Sequence, residues 1–403
     1  MLNIFLEFKQ VEKKFKESFI IDAIRTPLGR RNGLLKNLHA VDLLAIPLKT
    51  VVESNHIQTD RIDDIITGCV TQIGEQGANV ARNAALSAGF PETVPGTTVD
   101  RQCGSSLQAL QFADQGINSG FYDIVIASGV ESMSRHTIGS NISKERNPIT
   151  TSLEQRYSLN GNCFSQAYGA ELIAKNYKIT RSELDEFSLR SHKAALKARE
   201  HFKKEIVPVS IETSNESEIT TKKLDFDEGV RENTSIEKLS GLPPAFSGLE
   251  LITAGNSSQI SDGASAVLMA SEEAVSRYDL KPKARILSAS VVGVDPVTML
   301  TGPIPATRKV LERAGLDISH IDLFEVNEAF APVPLAWLRE FDVDESKLNP
   351  NGGAIALGHP LGATGCRIVT TMINELKTTG KKLGLIAICE GGGMSNSAII
   401  EIL

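Results

Sequence analysis

No apolar run in this 403-residue chain approaches the ~20 residues that a bilayer-crossing helix needs, and no basic excess is present: the net charge is −7. The first absence argues against a membrane span, and the second against a dedicated nucleic-acid binder. The densest basic stretch, "KQVEKKFKE" (9–17), is interrupted by Glu12 and Glu17 and reads as a solvated helix face. Cysteine is sparse and odd in number: Cys69, Cys103, Cys163, Cys366 and Cys389, with no CxxC spacing. Neither a disulfide framework nor a metal site is signalled, and a reducing compartment fits. The first sixteen residues lack the apolar core of a secretory signal and the arginines of a transit peptide, and "IIEIL" at the end is no peroxisomal address. The cytoplasm is therefore the expected location.

What is present is apolar residue and glycine. With 41% hydrophobic residues and 32 Gly, the chain can build two sizeable domains or a duplicated fold with an insert. Short apolar runs at 19–29, 63–70, 96–100 and 122–134 read as strands, and 40–54 and 77–89 between them read as helices. Strands alternating with helices predict a layered α/β fold. The order then repeats. "KVLERAGLDISHIDLFEVN" (309–327) mirrors "LKTVVESNHIQTDRIDDIITG" (48–68), and "KLGLIAICEGGGMS" (382–395) mirrors "YDIVIASGVES" (122–132). Two related α/β halves are predicted. Residues 135–250 fit neither half. They are polar and turn-rich, with a helix pair whose second member opens on a Thr180–Glu183 capping box, and read as an inserted loop domain. The expected division is 17–134, 135–250 (insert), 251–283 (return to the first half) and 284–403.

"VDRQCGSSLQAL" (99–110) puts Cys103 between an extended run and a helix. A thiol at the first turn of a helix is either a small core residue or a nucleophile whose pKa the helix start lowers. Three further motifs invite the same question. "NPNGGAIALGHPLGATG" (349–365) sets His359 among glycines, which turn tightly or let a ligand approach. "AICEGGGMSN" ends an apolar run in Cys389 and three glycines. "FEVNEAFAP" (324–332) ends one in Asn327 and Glu328, a pair that could simply cap the next helix. Alone, each is readily a core, turn or cap residue. Together they supply a nucleophile, a base and polar groups for an oxyanion, and loops at strand C-terminal ends of layered α/β folds converge on one crevice.

With these motifs, and with "ITAGNSSQISDGASA" and "TGPIPAT", the chain resembles the thiolases, which make and break carbon–carbon bonds next to CoA thioesters. The resemblance runs from "DAIRTPLGR" to the C-terminus. It implies the duplicated thiolase-like fold and an acyltransferase using 3-ketoacyl-CoA, with CoA and acetyl-CoA as substrates and no permanently bound cofactor. Cys103 would be acylated, His359 would take its proton, and Cys389 would protonate the departing acetyl-CoA enolate. The enolate oxygen would be held by His359 and a water on Asn327, the acyl oxygen by the N–H groups of Cys103 and Gly391. On the CoA side the family pattern falls on Arg231, Phe246, Ala254, Ser258, Met299 and Phe330. It further implies a homo-oligomer, dimer or homotetramer, and a place in β-oxidation-type lipid metabolism.

Two departures bear on acyl specificity. Ser395 stands where many thiolases have glycine, and Ser165–Gln166 stand where short-chain biosynthetic members carry His-Met. An acetyl-CoA acetyltransferase is the close alternative. A decarboxylating ketoacyl synthase is disfavoured by the second thiol, Cys389. A non-catalytic CoA- or lipid-binding scaffold is disfavoured because Cys103 and His359 are both kept.

Overall fold

The computed structural model describes residues 15–143, 147–159, 164–215 and 218–403. Most of the basic stretch at 9–17, and Cys163, lie outside these. Twelve strands run, among the described residues, in the order β1 Ser18–Arg25, β2 Gly29–Arg30, β3 Asp64–Gly68, β4 Thr97–Val99, β5 Ile124–Ser132, β6 Val209–Asn215, β7 Glu218–Leu224, β8 Ser261–Ser271, β9 Ala284–Gly293, β10 Leu323–Val326, β11 Leu383–Glu390 and β12 Met394–Ile402. The main sheet has the order β10-β11-β12-β9-β1-β8-β5-β3-β4, with β2 on β8 and β6–β7 as a separate hairpin. No described helix is long and apolar enough to cross a membrane.

The sheet is two copies of one four-strand unit. In the first, β3 and β5 are parallel, β5 and β8 antiparallel, and β8 and β1 antiparallel. In the second, β10, β11, β12 and β9 repeat those directions. The copies meet at β1 and β9 through a single register pair, Ile20 with Ala284. Side-chain detail fixes the correspondence. Asp63 Oδ2 accepts the N–H groups of Asp123 and Ile124, and Asp322 Oδ2 accepts those of Lys382 and Leu383. Asp63 thus corresponds to Asp322, Ile124 to Leu383 and, along the strands, Glu131 to Glu390. The fold is a duplicated layered α/β architecture with an inserted segment.

Two helices lie at its centre, Ser105–Asn118 and Thr364–Thr379. Ser105 to Gln111 are all buried, as are Thr364 to Ile373. A helix buried on every side belongs in a core rather than on a surface. They pack on each other and on the inner faces of both strand sets in one apolar cluster. Outer clusters cover the opposite face of each set, one with helix Ala40–Ser54 and one with helix Pro332–Phe341. Period-two alternation sorts β11 accordingly: Ile386 and Ile388 face the centre, while Leu385, Ala387 and Cys389 face outward.

The expected strand 19–29 ends at Arg25, because Pro27 has no N–H to continue a ladder. The helix expected at 77–89 starts at Val80, after Asn79 in a left-handed conformation caps it. The inserted segment holds helices Gln166–Asn176 and Arg181–Lys197, the latter opening on the Thr180–Glu183 capping box. Its charged region also folds the hairpin β6–β7, which the sequence pattern does not announce. Arg25 on β1, fully buried, ties the insert down through Glu205 (2.6 Å) and Asp227 (2.7 Å).

Candidate active site

Cys103 lies between β4 and the central helix Ser105–Asn118. Asp100 Oδ1 accepts the Gln102 N–H (2.7 Å), Gln102 takes a left-handed φ of 48°, and the Ser105 hydroxyl donates to the Gln102 carbonyl (2.6 Å). This tight turn sets the thiol just outside the helix and leaves it 2% exposed. The Gln166 side chain and the Gly391 N–H hydrogen-bond the sulfur. Burial, reinforced by Glu390, nevertheless pushes the thiol up to about 12. The expected lowering by the helix start is overridden, since desolvating a thiolate costs more than the helix end returns. The resting group is a thiol.

The His359 loop runs into the other central helix. Glu131 holds it, accepting the Gly362 N–H (2.9 Å) together with those of Val70, Thr71 and the Gln76 amide (3.0, 2.9 and 3.0 Å). The ring state follows from counting protons. Thr364 Oγ1 lies 2.9 Å from the Pro360 carbonyl, which only its O–H can donate to, and 2.7 Å from His359 Nδ1. Nδ1 must therefore carry the proton, which leaves Nε2 as a free lone pair. Burial and then Arg367 pull the imidazole down to about 3, so it is neutral at rest. Asn327, one residue past β10, brings Nδ2 to 3.4 Å from Nε2, and its Oδ1 is buried with no protein partner. Neither Asn327 nor Glu328 caps a helix, because the next one begins only at Pro332. Glu328 instead accepts Ser191 Oγ, Asn349 Nδ2 and the Ile355 N–H.

Cys389, fully buried near the end of β11, is raised well above the usual thiol range by burial, and further by Cys103 and Glu390. The three glycines after it have distinct reasons. Gly392 and Gly393 have φ of 80° and 78°, a region side chains disfavour. A Cβ on Gly391 would sit 2.8 Å from Gln102 Oε1 and 3.2 Å from Gln166 Nε2, so a side chain there would have to displace the two glutamines around Cys103.

These pieces share one end of the molecule. The central helices meet at their first turns, where the Cys366 N–H donates to Ser106 Oγ (3.0 Å) and a Cβ on Gly365 would strike Leu107 N at 2.1 Å. The Cys103 turn and the His359 loop precede those turns. Asn327 and Cys389 come from the adjacent parallel strands β10 and β11, with the Asn327 N–H on the Ala387 carbonyl (3.0 Å). A thiol, a neutral base and paired backbone donors can hold an acyl group covalently, and the second thiol can move a proton beside it.

The CoA-side candidates are spread more widely. Arg231 is exposed, with its backbone N–H on His192 Nδ1 (3.2 Å). Phe246 is 64% exposed and, with Tyr157, Phe164, Tyr168, Leu249 and Val297, lines a cavity of about 620 Å³. Ala254 is exposed, and Ser258 donates its N–H to the Ala329 carbonyl beside Phe330 (2.9 Å). Met299 is buried in the outer core. Ser165 caps helix Gln166–Asn176 and also lines the cavity. Gln166 reaches Cys103 itself, a contact the sequence pattern leaves unassigned. The Thr364–His359 bond and the Glu131 clamp are likewise invisible without the fold.

The thiolase N-terminal domain matches residues 18–273 and the thiolase C-terminal domain residues 280–402. The steroid 3-ketoacyl-CoA thiolase FadA6 of Mycobacterium tuberculosis is 48% identical over 394 residues, covering 96% of this chain and 94% of that protein. The 3-oxoadipyl-CoA/3-oxo-5,6-dehydrosuberyl-CoA thiolase of Escherichia coli is 42% identical, covering 96% and 99%. Among solved structures, the acetyl-CoA acetyltransferase of Bacillus anthracis superposes with a TM-score of 0.86 at 38% identity, over 97% of this chain and 100% of that one. Human mitochondrial 3-ketoacyl-CoA thiolase gives 0.85 at 36% identity, over 96% and 99%. Matched along almost its whole length, and with its two thiols, histidine and asparagine gathered at one end of a duplicated fold, this chain belongs to the thiolase family of acyltransferases.

Proposed function

We propose that this chain cleaves 3-ketoacyl-CoA with CoA, and runs the reverse condensation, through an acyl group on Cys103. The observation that carries the proposal is the pair of buried thiols beside a neutral His359–Asn327 pair. Cys103 sulfur attacks the 3-keto carbon as its proton passes to His359 Nε2. The C2–C3 bond breaks and its electron pair moves to C2 as the enolate of acetyl-CoA. Cys389 gives C2 a proton. A second CoA thiol then takes the acyl group from Cys103, its proton restoring Cys389 while His359 returns its own proton to the departing Cys103 sulfur. The Cys103 and Gly391 N–H groups face the acyl oxygen, and one such donor is typically worth ~3 kcal/mol. His359, with a water positioned by Asn327, faces the enolate oxygen.

The substrate is an acyl chain longer than acetyl, in the degradative direction. The supporting feature is the aromatic cavity of about 620 Å³ at Ser165 and Tyr168, next to the residue that bonds Cys103. The names of FadA6 and the Escherichia coli relative point the same way, toward acyl groups larger than acetyl. Each methylene buried adds ~0.8 kcal/mol, so two extra carbons raise kcat/KM about tenfold. Thiolysis of 3-ketohexanoyl-CoA is expected to exceed that of acetoacetyl-CoA by this factor, and thiolysis of 3-ketooctanoyl-CoA by at least as much. A tenfold preference for acetoacetyl-CoA would instead make the chain an acetyl-CoA acetyltransferase.

The working form is a homodimer or a larger even assembly, joined along β4. Among the described residues that edge strand pairs only with β3. Beside it runs an open groove of about 710 Å³ lined by Ile66, Val99, Phe112, Phe121 and Tyr122, with Phe112 40% and Phe121 76% exposed. An unpaired edge with exposed aromatics invites a second copy. Light scattering is expected to give twice the chain mass or a multiple of it, and Phe121→Asp to lower the mass. A monomeric wild-type protein would refute this.

A further inference from the structure

The correspondence between the two halves exposes one group with no counterpart in its behaviour. Glu131 at the end of β5 and Glu390 at the end of β11 occupy equivalent positions, both on the inner face. Glu131 is saturated: four N–H donors, from Val70, Thr71, Gln76 and Gly362, point at its oxygens. Glu390 is buried with both oxygens unpartnered. The equivalents of the Glu131 backbone donors are the N–H groups of Ala329, Phe330 and, in place of Gly362, Cys103 itself. The second half has released that N–H toward the acyl oxygen.

Few donors face Glu390: the Asn396 backbone N–H and the guanidinium of Arg101, whose Nε is itself buried and unpartnered, favour its charged form, and burial outweighs both. Asn396 donates Nδ2 to the Gly104 carbonyl (3.0 Å), which fixes the amide orientation and turns Oδ1 away from that carbonyl. Asn396 Oδ1 is itself buried and unpartnered. A Cβ on Gly104 would lie 2.0 Å from Glu390 Oε1 and 2.6 Å from Asn396 Oδ1, so the two oxygens are neighbours and glycine is obligatory between them. Two acceptors repel unless one carries a proton, and only the carboxyl can. The groups facing it are Asp100 and Arg101 from the turn after β4, the thiols Cys103 and Cys389, and Asn396 on β12. Arg101 attracts the ionised form but makes no ion pair with Glu390, its Nη1 lying instead 3.7 Å from Met394 Sδ.

We propose that Glu390 is a positioning residue for acylation. It stands below Cys103 as a neutral carboxylic acid whose O–H donates to Asn396 Oδ1, and Asn396 in turn holds the Gly104 carbonyl and with it the Cys103 N–H. Loss of the Glu390 proton breaks this chain and places a negative charge against the forming thiolate, so acylation stops. Burial raises the carboxyl to about 9, with Asp100 adding to it and Arg101 opposing it. The group is therefore neutral below that pH and charged above it.

The proposal rests on Cys103 being the acylated residue. The test follows single-turnover acylation of the Cys103 peptide from acetyl-CoA by mass, a half-reaction with no free CoA thiol as reactant. Wild-type acylation is expected to fall about tenfold per pH unit above pH ~9, as for loss of one essential proton. Glu390→Leu, with no donor, is expected to lose at least about tenfold on the plateau below pH ~9 and to show no further alkaline fall, and Glu390→Gln, whose amide donates but cannot ionise, to recover most of that loss, also without the alkaline fall. In wild-type-minus-Glu390→Gln infrared difference spectra of the free enzyme a protonated-carboxyl band is expected, since the other buried carboxyl raised that far, Glu325 at about 8, is common to both and cancels. An unchanged alkaline limb in Glu390→Gln, or no such difference band, overturns the proposal. Failure of wild-type Cys103 to acylate would refute the functional reading instead, and the infrared band would still decide the state of Glu390.

Discussion

Cys103→Ala is expected to lose both the acetyl adduct and turnover, by about 10⁴-fold or more, because the proposed mechanism loses the sulfur that carries the acyl chain. Cys389→Ala is expected to separate two jobs. It should still accept an acetyl group at Cys103 but lose solvent deuterium exchange into the acetyl methyl of acetyl-CoA by roughly 10³-fold, the range of a positioned acid–base group. Mass spectrometry of the Cys103 peptide and of recovered acetyl-CoA reads both. An adduct on Cys389, or wild-type exchange in Cys389→Ala, would reverse the assignment of the thiols. The two are not interchangeable by position. The Cys103 sulfur receives the Gly391 N–H and the Gln166 side chain, whereas Cys389 faces the outer core side of β11.

His359→Ala is the second large effect, at roughly 10³-fold in kcat/KM, against about tenfold for Asn327→Ala. In the proposed mechanism the histidine serves in thiolate formation and at the enolate oxygen, while the asparagine positions a water. The resting state sharpens the expectation. With the Cys103 thiol at about 12 and the His359 imidazole at about 3, both partners are neutral across the working pH range, and the proton moves only as sulfur attacks. No acid limb from His359 titration is expected between pH 5 and 8, in contrast to an exposed histidine near 6.5. Thr364→Val removes the acceptor that fixes the proton on Nδ1, and steady-state rates of that variant should fall toward those of His359→Ala. Equal losses in His359→Ala and Asn327→Ala would mean that the base lies elsewhere.

Much of this was legible in the sequence, for a physical reason: each catalytic group sits in a short segment whose residues act locally. The Asp100–Gly104 turn, the glycines after Cys389 and the Ile-Asp pairs before β3 and β10 work over a few residues, and so leave local patterns. What escaped depends on contacts between distant segments. Gln166 comes from the insert to Cys103. Thr364 decides a tautomer that nothing around His359 in sequence reveals. Asn327 and Glu328 looked like a helix cap because the site they serve is built by Ser191, Asn349 and His359. The helix start, which favours a lowered thiol pKa, is visible in sequence, whereas the complete burial of Cys103 that raises it is not. Glu131 and Glu390 look alike in both repeats, and only the hydrogen bonds show that one is a clamp and the other is not.

The near-complete burial of Cys103 bears on the energetics of the pathway this enzyme would serve. A thioester on an exposed cysteine meets water at far higher concentration than CoA, and hydrolysis would dissipate the group-transfer potential released by carbon–carbon cleavage. In a site that admits solvent poorly, side reactions of the proposed intermediate are suppressed, and its acyl group would wait for a thiol arriving along the route its first CoA used. In the proposed degradative direction the shortened chain would then leave still activated, ready for another round without renewed expenditure of ATP.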